Sequence, residues 1–189
     1  MVLLSRILRV IEIPFAVVIA AMLAAVSRGT SFSHMSTFVG MVPFVFGELL
    51  RYYYYRISLK KCGNNVYFQF GCHFSYRDIA IGNNVRIGYC STFGLTDIGN
   101  DVLIAAYCSF TSGAQMHGFD RTDIPIRLQE GAGLKRIRIG NDVWIGIKSI
   151  IMADICDGAV VGSGSVVTKP IPEYAVALGN PAQVIRMRK

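Results

Sequence analysis

Charged residues make up only 16% of this 189-residue chain, against 52% apolar, a low ratio for a chain exposed to water on all sides. Histidine is scarcer still: His34, His73 and His117 are the full set. A zinc centre needs three converging imidazoles, usually two of them closely spaced, and these separations supply no such pair, so no metal is expected. His34 and His73 read as structural. The five cysteines (62, 72, 90, 108 and 156) include no Cys-x-x-Cys and are odd in number, which gives no disulfide framework. They are expected to be small fillers in a reducing compartment. No glycine-rich phosphate loop follows a strand and opens a helix, so nucleotide hydrolysis has no support. The formal net charge of +7 suits an anionic partner. Its two basic clusters (Arg51, Arg56, Lys60, Lys61; and Lys169, Arg186, Arg188, Lys189) are not the aromatic-interleaved groove of a nucleic-acid binder, so no nucleic acid is expected.

What the chain has in quantity is a period. Residues 139–146, IGNDVWIG, hold two aliphatic-glycine pairs six apart, and similar pairs recur at 81–82, 87–88, 98–99 and 161–162. The fourth residue after each aliphatic is also restricted, as at Val85, Ser91, Val102, Cys108, Val143, Ser149 and Ser165. A fixed short period signals a solenoid, here with three corners and about 18 residues per coil. Asn and Gly fill the corners, where positive backbone angles are cheap for them. The step from Phe93 to Ile98 is one short, which puts Cys90 and Cys108 out of register. Pro170 and Pro172 are expected to end the coils, leaving a tail over 173–189.

Residues 1–60 carry no hexads. Residues 13–27 and 29–47 are free of formal charge, and the first run is shorter than the roughly 20 residues a spanning helix needs. No small-residue cleavage site makes it a convincing signal peptide. Basic residues flank the pair outside, Arg6 and Arg9 before and Arg51 to Lys61 after, which would keep both ends cytoplasmic. Two apolar helices resting on the inner face of a bacterial plasma membrane fit these facts, as does packing on the solenoid or on a neighbouring subunit.

Between 113 and 136 the rhythm breaks, and a polar excursion must leave the solenoid; long loops on rigid scaffolds usually carry function. It contains His117. Imidazole ordinarily titrates near 6.5 and suits a general base, and Asp120, Asp123 or Glu130 are candidates to orient it.

The hexads, IGNDVWIG (139–146), GAVVGSGSVVTKPIP (158–172) and GNPAQVIR (179–186) closely resemble the hexapeptide-repeat acyltransferases over residues 62–189. The loop HGFDRTDIPIRLQEG (117–131) and the lead-in at 47–66 resemble the branch that O-acetylates sugars in surface-polysaccharide synthesis. The resemblance implies a mainly β fold, a left-handed parallel β-helix over 61–189 with an apolar helical segment over 1–60. It also implies a homotrimer that binds acetyl-coenzyme A between subunits, and a sugar or lipid-linked saccharide acceptor. His117 matches the family's base, which deprotonates the acceptor hydroxyl for direct attack on the thioester. A backbone N–H near Gly146 and Ile147 would stabilise the oxyanion, Trp144 would line the pantetheine end, and Ser163, Thr168, Lys169 and Arg186 match positions used for the pantetheine arm and phosphates. Two departures stand out. Residues 152–157 are two shorter than the family's run, so that coil should be distorted; and residues 88–97 lack the Asn and Asp that simple sugar acetyltransferases use for the acceptor. N-acetylation of an amino-sugar nucleotide, acetylation of a drug, and a non-catalytic membrane scaffold are the alternatives.

Overall fold

A computed structural model describes residues 2–113, 117–131 and 133–189, with side chains from Ile11 onward. The side chains of Arg6 and Arg9 therefore lie outside the described part. Three helices open the chain, α1 (Val2–Gly29), α2 (Phe32–Gly40) and α3 (Phe44–Ser58). Two were expected. The second apolar run breaks because Pro43 cannot continue a helix from α2 and instead precedes α3. α1, in turn, starts well before Pro14 and passes through it.

Sixteen short strands follow among the described residues, numbered in chain order, on three faces of a prism. Face A holds β1 (Lys61–Cys62), β4 (Ala80–Ile81), β7 (Thr96–Ile98) and β10 (Ile137–Ile139). Face B holds β2 (Tyr67–Phe68), β5 (Arg86–Ile87), β8 (Leu103–Ile104), β11 (Trp144–Ile145), β13 (Val160–Val161), β15 (Ala175–Gly179) and β16 (Ala182–Met187). Face C holds β3 (His73–Phe74), β6 (Thr92–Phe93), β9 (Ser109–Phe110), β12 (Ile150–Ile151) and β14 (Val166–Val167). Every pairing is parallel except that of β15 with β16. In the two-residue strands the first side chain points out and the second in, the period-two rule at its shortest.

The coils are not uniform. Register pairs Phe74 with Phe93, a step of 19, Phe93 with Phe110, a step of 17, and Ile151 with Val167, a step of 16. Coils of 18 were expected, and none of these has that length. The interior narrows in parallel: Phe74, Phe93 and Phe110 stack at 4.7 and 4.6 Å between ring centroids, and smaller Ile151 and Val167 continue the row. A second interior row runs Cys72, Ser91, Cys108, Ser149, Ser165, all buried. Each uses its Sγ or Oγ on a corner carbonyl, such as Cys108 to Gly146 O at 3.3 Å and Ser165 to Gly162 O at 2.6 Å. Cys90 stands beside this row, not in it. Burial pushes the Cys72 thiol up to about 12, which keeps it an inert filler.

One corner is an amide ladder. Asn83, Asn100 and Asn141 each accept, through Oδ1, the backbone N–H of the corner one coil earlier, at 2.9 Å each. Asp157 ends the series, taking Asn141 N–H at 2.8 Å. That bond, then one from the Asn141 side chain, holds the Asp157 carboxyl below its ordinary range. A carboxylate with a lowered folded pKa contributes stability above its unfolded pKa and loses it as pH falls through the folded value. Asp157→Asn keeps the acceptor without the charge. Urea midpoints at pH 7 and pH 3 should therefore fall less on acidification in this variant than in the parent; equal falls would remove the charge from the account.

The coils do not stop at Pro170 and Pro172. Ile171 bridges Ile155, and β15 pairs in parallel with β13. Both prolines are exposed and flank Ile171, which itself makes the ladder bonds, donating to Asp154 O and accepting from Cys156 N–H, each at 3.0 Å. The expected tail is a hairpin, β16 folding back on β15. The shortened run over 152–157 leaves face A without a full strand; Ile155 makes isolated bridges to Ile139 and Ile171.

The helices close the wide end. Tyr55 is fully buried against Phe68 and Phe74, each 4.8 Å between centroids. Arg51, 1% exposed, donates from Nε to Phe68 O at 3.0 Å and from Nη1 to Gly40 O at 3.2 Å and Val42 O at 2.6 Å. Phe44, at the end of the turn so gripped, has φ of 63°, a left-handed conformation uncommon for a bulky residue.

Candidate functional site

The residues singled out by sequence fall on two sides of the prism. Trp144, Gly146, Ile147 and Ser163 lie together on face B and at its corner with face C. Trp144 takes the outward position of β11 and is 54% exposed, between Leu103 and Val160 of adjacent strands. Gly146 is buried directly against the next coil: a Cβ there would meet Ser163 N at 2.5 Å. The close approach explains the glycine. Gly146 N–H is engaged in the ladder, donating to Val161 O at 2.8 Å. Ile147 N–H, one residue on, has no acceptor among the described residues, while its carbonyl takes Gly164 N–H at 2.8 Å. Of the two, Ile147 holds the N–H open to an incoming oxygen.

Arg186 belongs with this group although it is 42 positions (186 less 144) from Trp144. Register links Trp144 to Val160, Val160 to Val176 and Val176 to Arg186 across successive strands. At about 4.8 Å per strand the row spans about 14 Å, from an aromatic surface to an exposed guanidinium.

Thr168 and Lys169 sit elsewhere, at the corner between faces C and A. Thr168 lines a hollow of about 670 Å³ with Met152, Asp154 and the returning loop residues Leu134 and Arg136. The excursion leaves from the same corner, between β9 and β10. Arg136 pins its return by donating to Asp97 Oδ1 at 2.8 Å and to Asp78 O at 2.6 Å. Residues 117–131 hydrogen-bond only to one another among the described residues. Gln129 Nε2 donates to Arg121 O at 2.7 Å and to Ile124 O at 3.1 Å, and Arg121 Nε donates to Asp123 Oδ1 at 3.0 Å. Asp123 is thus paired with Arg121 at the surface of the loop. His117 and Asp120 are both exposed, and neither makes a hydrogen bond among the described residues.

Sequence reasoning missed the outward residues of the early coils on face B. Tyr67, Gln69 and Arg86 line a hollow of about 250 Å³ that ends at Trp144, and with Asn65 and Asn84 an adjoining polar one of about 490 Å³. The only signal was their position just before inward residues, and unequal coil lengths obscured which of them are neighbours. No group of His, Cys, Asp and Glu among the described residues is arranged to hold a metal ion.

No protein-family model matches the chain. It is 35% identical over 136 residues to the galactoside O-acetyltransferase of Escherichia coli K12, covering 66% of this chain and 62% of that one. It is 37% identical over 121 residues to a chloramphenicol acetyltransferase of Agrobacterium fabrum, covering 52% and 58%. Among solved structures, a maltose O-acetyltransferase from Clostridium difficile 630 superposes with a TM-score of 0.71 at 27% identity, over 84% of this chain and 85% of that one. A galactoside acetyltransferase in complex with coenzyme A superposes with a TM-score of 0.66 at 27% identity, over 93% and 82%. The chain spans less than two thirds of the length of these curated relatives. The three-faced parallel solenoid with its helical lead-in is the left-handed β-helix of such acetyltransferases.

Proposed function

Because the chain belongs, by repeat sequence and fold, to the hexapeptide-repeat acetyltransferase family, we propose that it is an acetyl-coenzyme A-dependent O-acetyltransferase of a sugar hydroxyl. The observation that carries this reading is the wall formed by Trp144 and the open N–H of Ile147, in a chain whose one long polar excursion bears His117.

The site is a two-chain site. Face B lies opposite the corner from which the excursion leaves, and nothing among the described residues ties 117–131 to face B of the same chain. In a homotrimer, His117 of one chain meets Trp144 and Ile147 of its neighbour. The row from Trp144 to Arg186 carries the pantetheine arm and Arg186 meets a phosphate, with Thr168 and Lys169 supplied from the opposing corner. Acetyl-coenzyme A supplies the acetyl group as a thioester. His117 takes the proton of the acceptor hydroxyl as its oxygen bonds to the thioester carbonyl carbon. Ile147 N–H donates to the oxygen on which charge develops. As the carbon–sulfur bond breaks, His117 returns the proton to the departing sulfur, leaving an acetyl ester and free coenzyme A. Asp120 is the loop carboxylate closest in sequence to orient the imidazole.

The acceptor proposed is a lipid-linked precursor of a surface polysaccharide, at the inner face of the plasma membrane. The apolar helices and flanking basic residues support it. A drug acceptor is the second reading, favoured by the chloramphenicol acetyltransferase relative. Thiol release from acetyl-coenzyme A, measured with free sugars, undecaprenyl-linked saccharides and chloramphenicol, separates them. Release with a saccharide acceptor is expected; release with chloramphenicol alone selects the second reading, and release with none removes both.

A further inference from the structure

The outer side of α1 is a large surface that acetyl transfer leaves unused. Every exposed side chain between residues 13 and 26 is apolar, and Phe15, Val18, Met22 and Val26 are each more than half exposed. The opposite side is small and buried: Ala16, Ala20, Ala24 and Ser27 face the protein, Ala20 and Ala24 within the same core as Leu50 and Tyr54 of α3. Arg77 Nη2 fastens its C-terminal end, donating to Ser27 Oγ at 2.8 Å. A helix that is apolar all round belongs in a core or in lipid. A second protein surface would bring a polar rim, and over 13–26 the exposed side has none. Charge is confined to the ends of the stretch: Arg28 follows it, Arg6 and Arg9 precede it in sequence, and the half-buried Glu12 stands just before it, a net basic flank that complements anionic lipid.

Residues 11–29 are long and apolar enough to cross a membrane by length and composition. Crossing would strip Ala16, Ala20, Ala24 and Ser27 from their packing. We infer that α1 instead lies in the plane of an anionic bilayer, its outer side immersed, with α3 and the first coil taking the place of the polar face that a free interfacial helix would need. The inference stands apart from the acetyl-transfer reading.

The test uses the full chain and flotation with vesicles of phosphatidylethanolamine and phosphatidylglycerol. The parent protein should float. The double variant Phe15→Glu/Met22→Glu, both positions exposed, should keep its circular dichroism and its thiol release with soluble acceptor, yet lose bound fraction by about tenfold or more. An N-terminal tag on vesicle-bound protein should be fully cleaved by protease added outside. Should the double variant misfold, the tag result and parent flotation still decide. The inference is overturned if the parent does not float, if a folded double variant floats equally, or if the tag is protected, which would mean a crossing helix. It is also overturned if the variant loses its oligomeric state with flotation unchanged, which would mean that a second copy covers the face.

Discussion

Replacing His117 with alanine should lower kcat by about 10²- to 10⁴-fold, the range a positioned general base contributes. The KM for acetyl-coenzyme A and the oligomeric state should hold. His117 is exposed and makes no bond that supports the loop, which Gln129 braces through Arg121 and Ile124. The imidazole can therefore be removed without unfolding what carries it. Full activity in this variant would sink the mechanism. A companion measurement addresses the two-chain site. Co-assembly of His117→Ala with Trp144→Ala chains produces some sites with both groups intact, so turnover above either variant alone is expected. If both groups came from one chain, every site would lack one, and mixing would recover nothing.

Replacing Arg51 with methionine should cost about 2–6 kcal/mol of stability, at about 1–3 kcal/mol for each of the two buried carbonyls left without a donor. Three backbone carbonyls lose a charged donor. Gly40 O keeps a second, Gly71 N–H at 2.8 Å, whereas no other donor to Phe68 O or Val42 O is present among the described residues. Methionine restores the packing, so the loss reports the bonds rather than a cavity. The same substitution frees the turn before Phe44 from the grip that holds it left-handed. For a chain of this size each kcal/mol shifts Tm by about 2–4 °C, so calorimetry should show a fall of about 4 °C or more. Arg51→Lys should recover little, because an ammonium cannot span carbonyls placed for a planar fork. A Tm within 2 °C of the parent would mean that the clasp is ornamental to the fold.

The interior of the solenoid was legible in the sequence and much of its exterior was not. Val85, Val102, Val143 and Ile145 are buried where the six-residue period places them, because inward positions depend only on spacing within one coil. Neighbours on the outside depend on the step between coils, which runs 19, 17 and 16 here, so Arg186 could not be set beside Trp144 by counting. The hairpin at the C-terminal end was hidden by two prolines that flank Ile171 and leave the ladder bonds to it. Arg51 looked like part of a surface cluster; its partners are carbonyls 9 to 17 residues away, which carry no side-chain signature. The proposed division of the site between two chains is likewise invisible to composition, and its support is the corner from which the loop leaves.

The narrowing from stacked phenylalanines to isoleucine and valine has an evolutionary consequence. Uniform solenoids grow or shrink by whole repeats, since any repeat fits any neighbour. Here the layers fall into two sizes, phenylalanine at the wide end and isoleucine and valine beyond it. A phenylalanine coil inserted beyond Ile151 would sit on a floor too small for it, and a valine coil inserted between Phe74 and Phe93 would leave a void. The order in which coils can be added or removed is therefore set by what fills them.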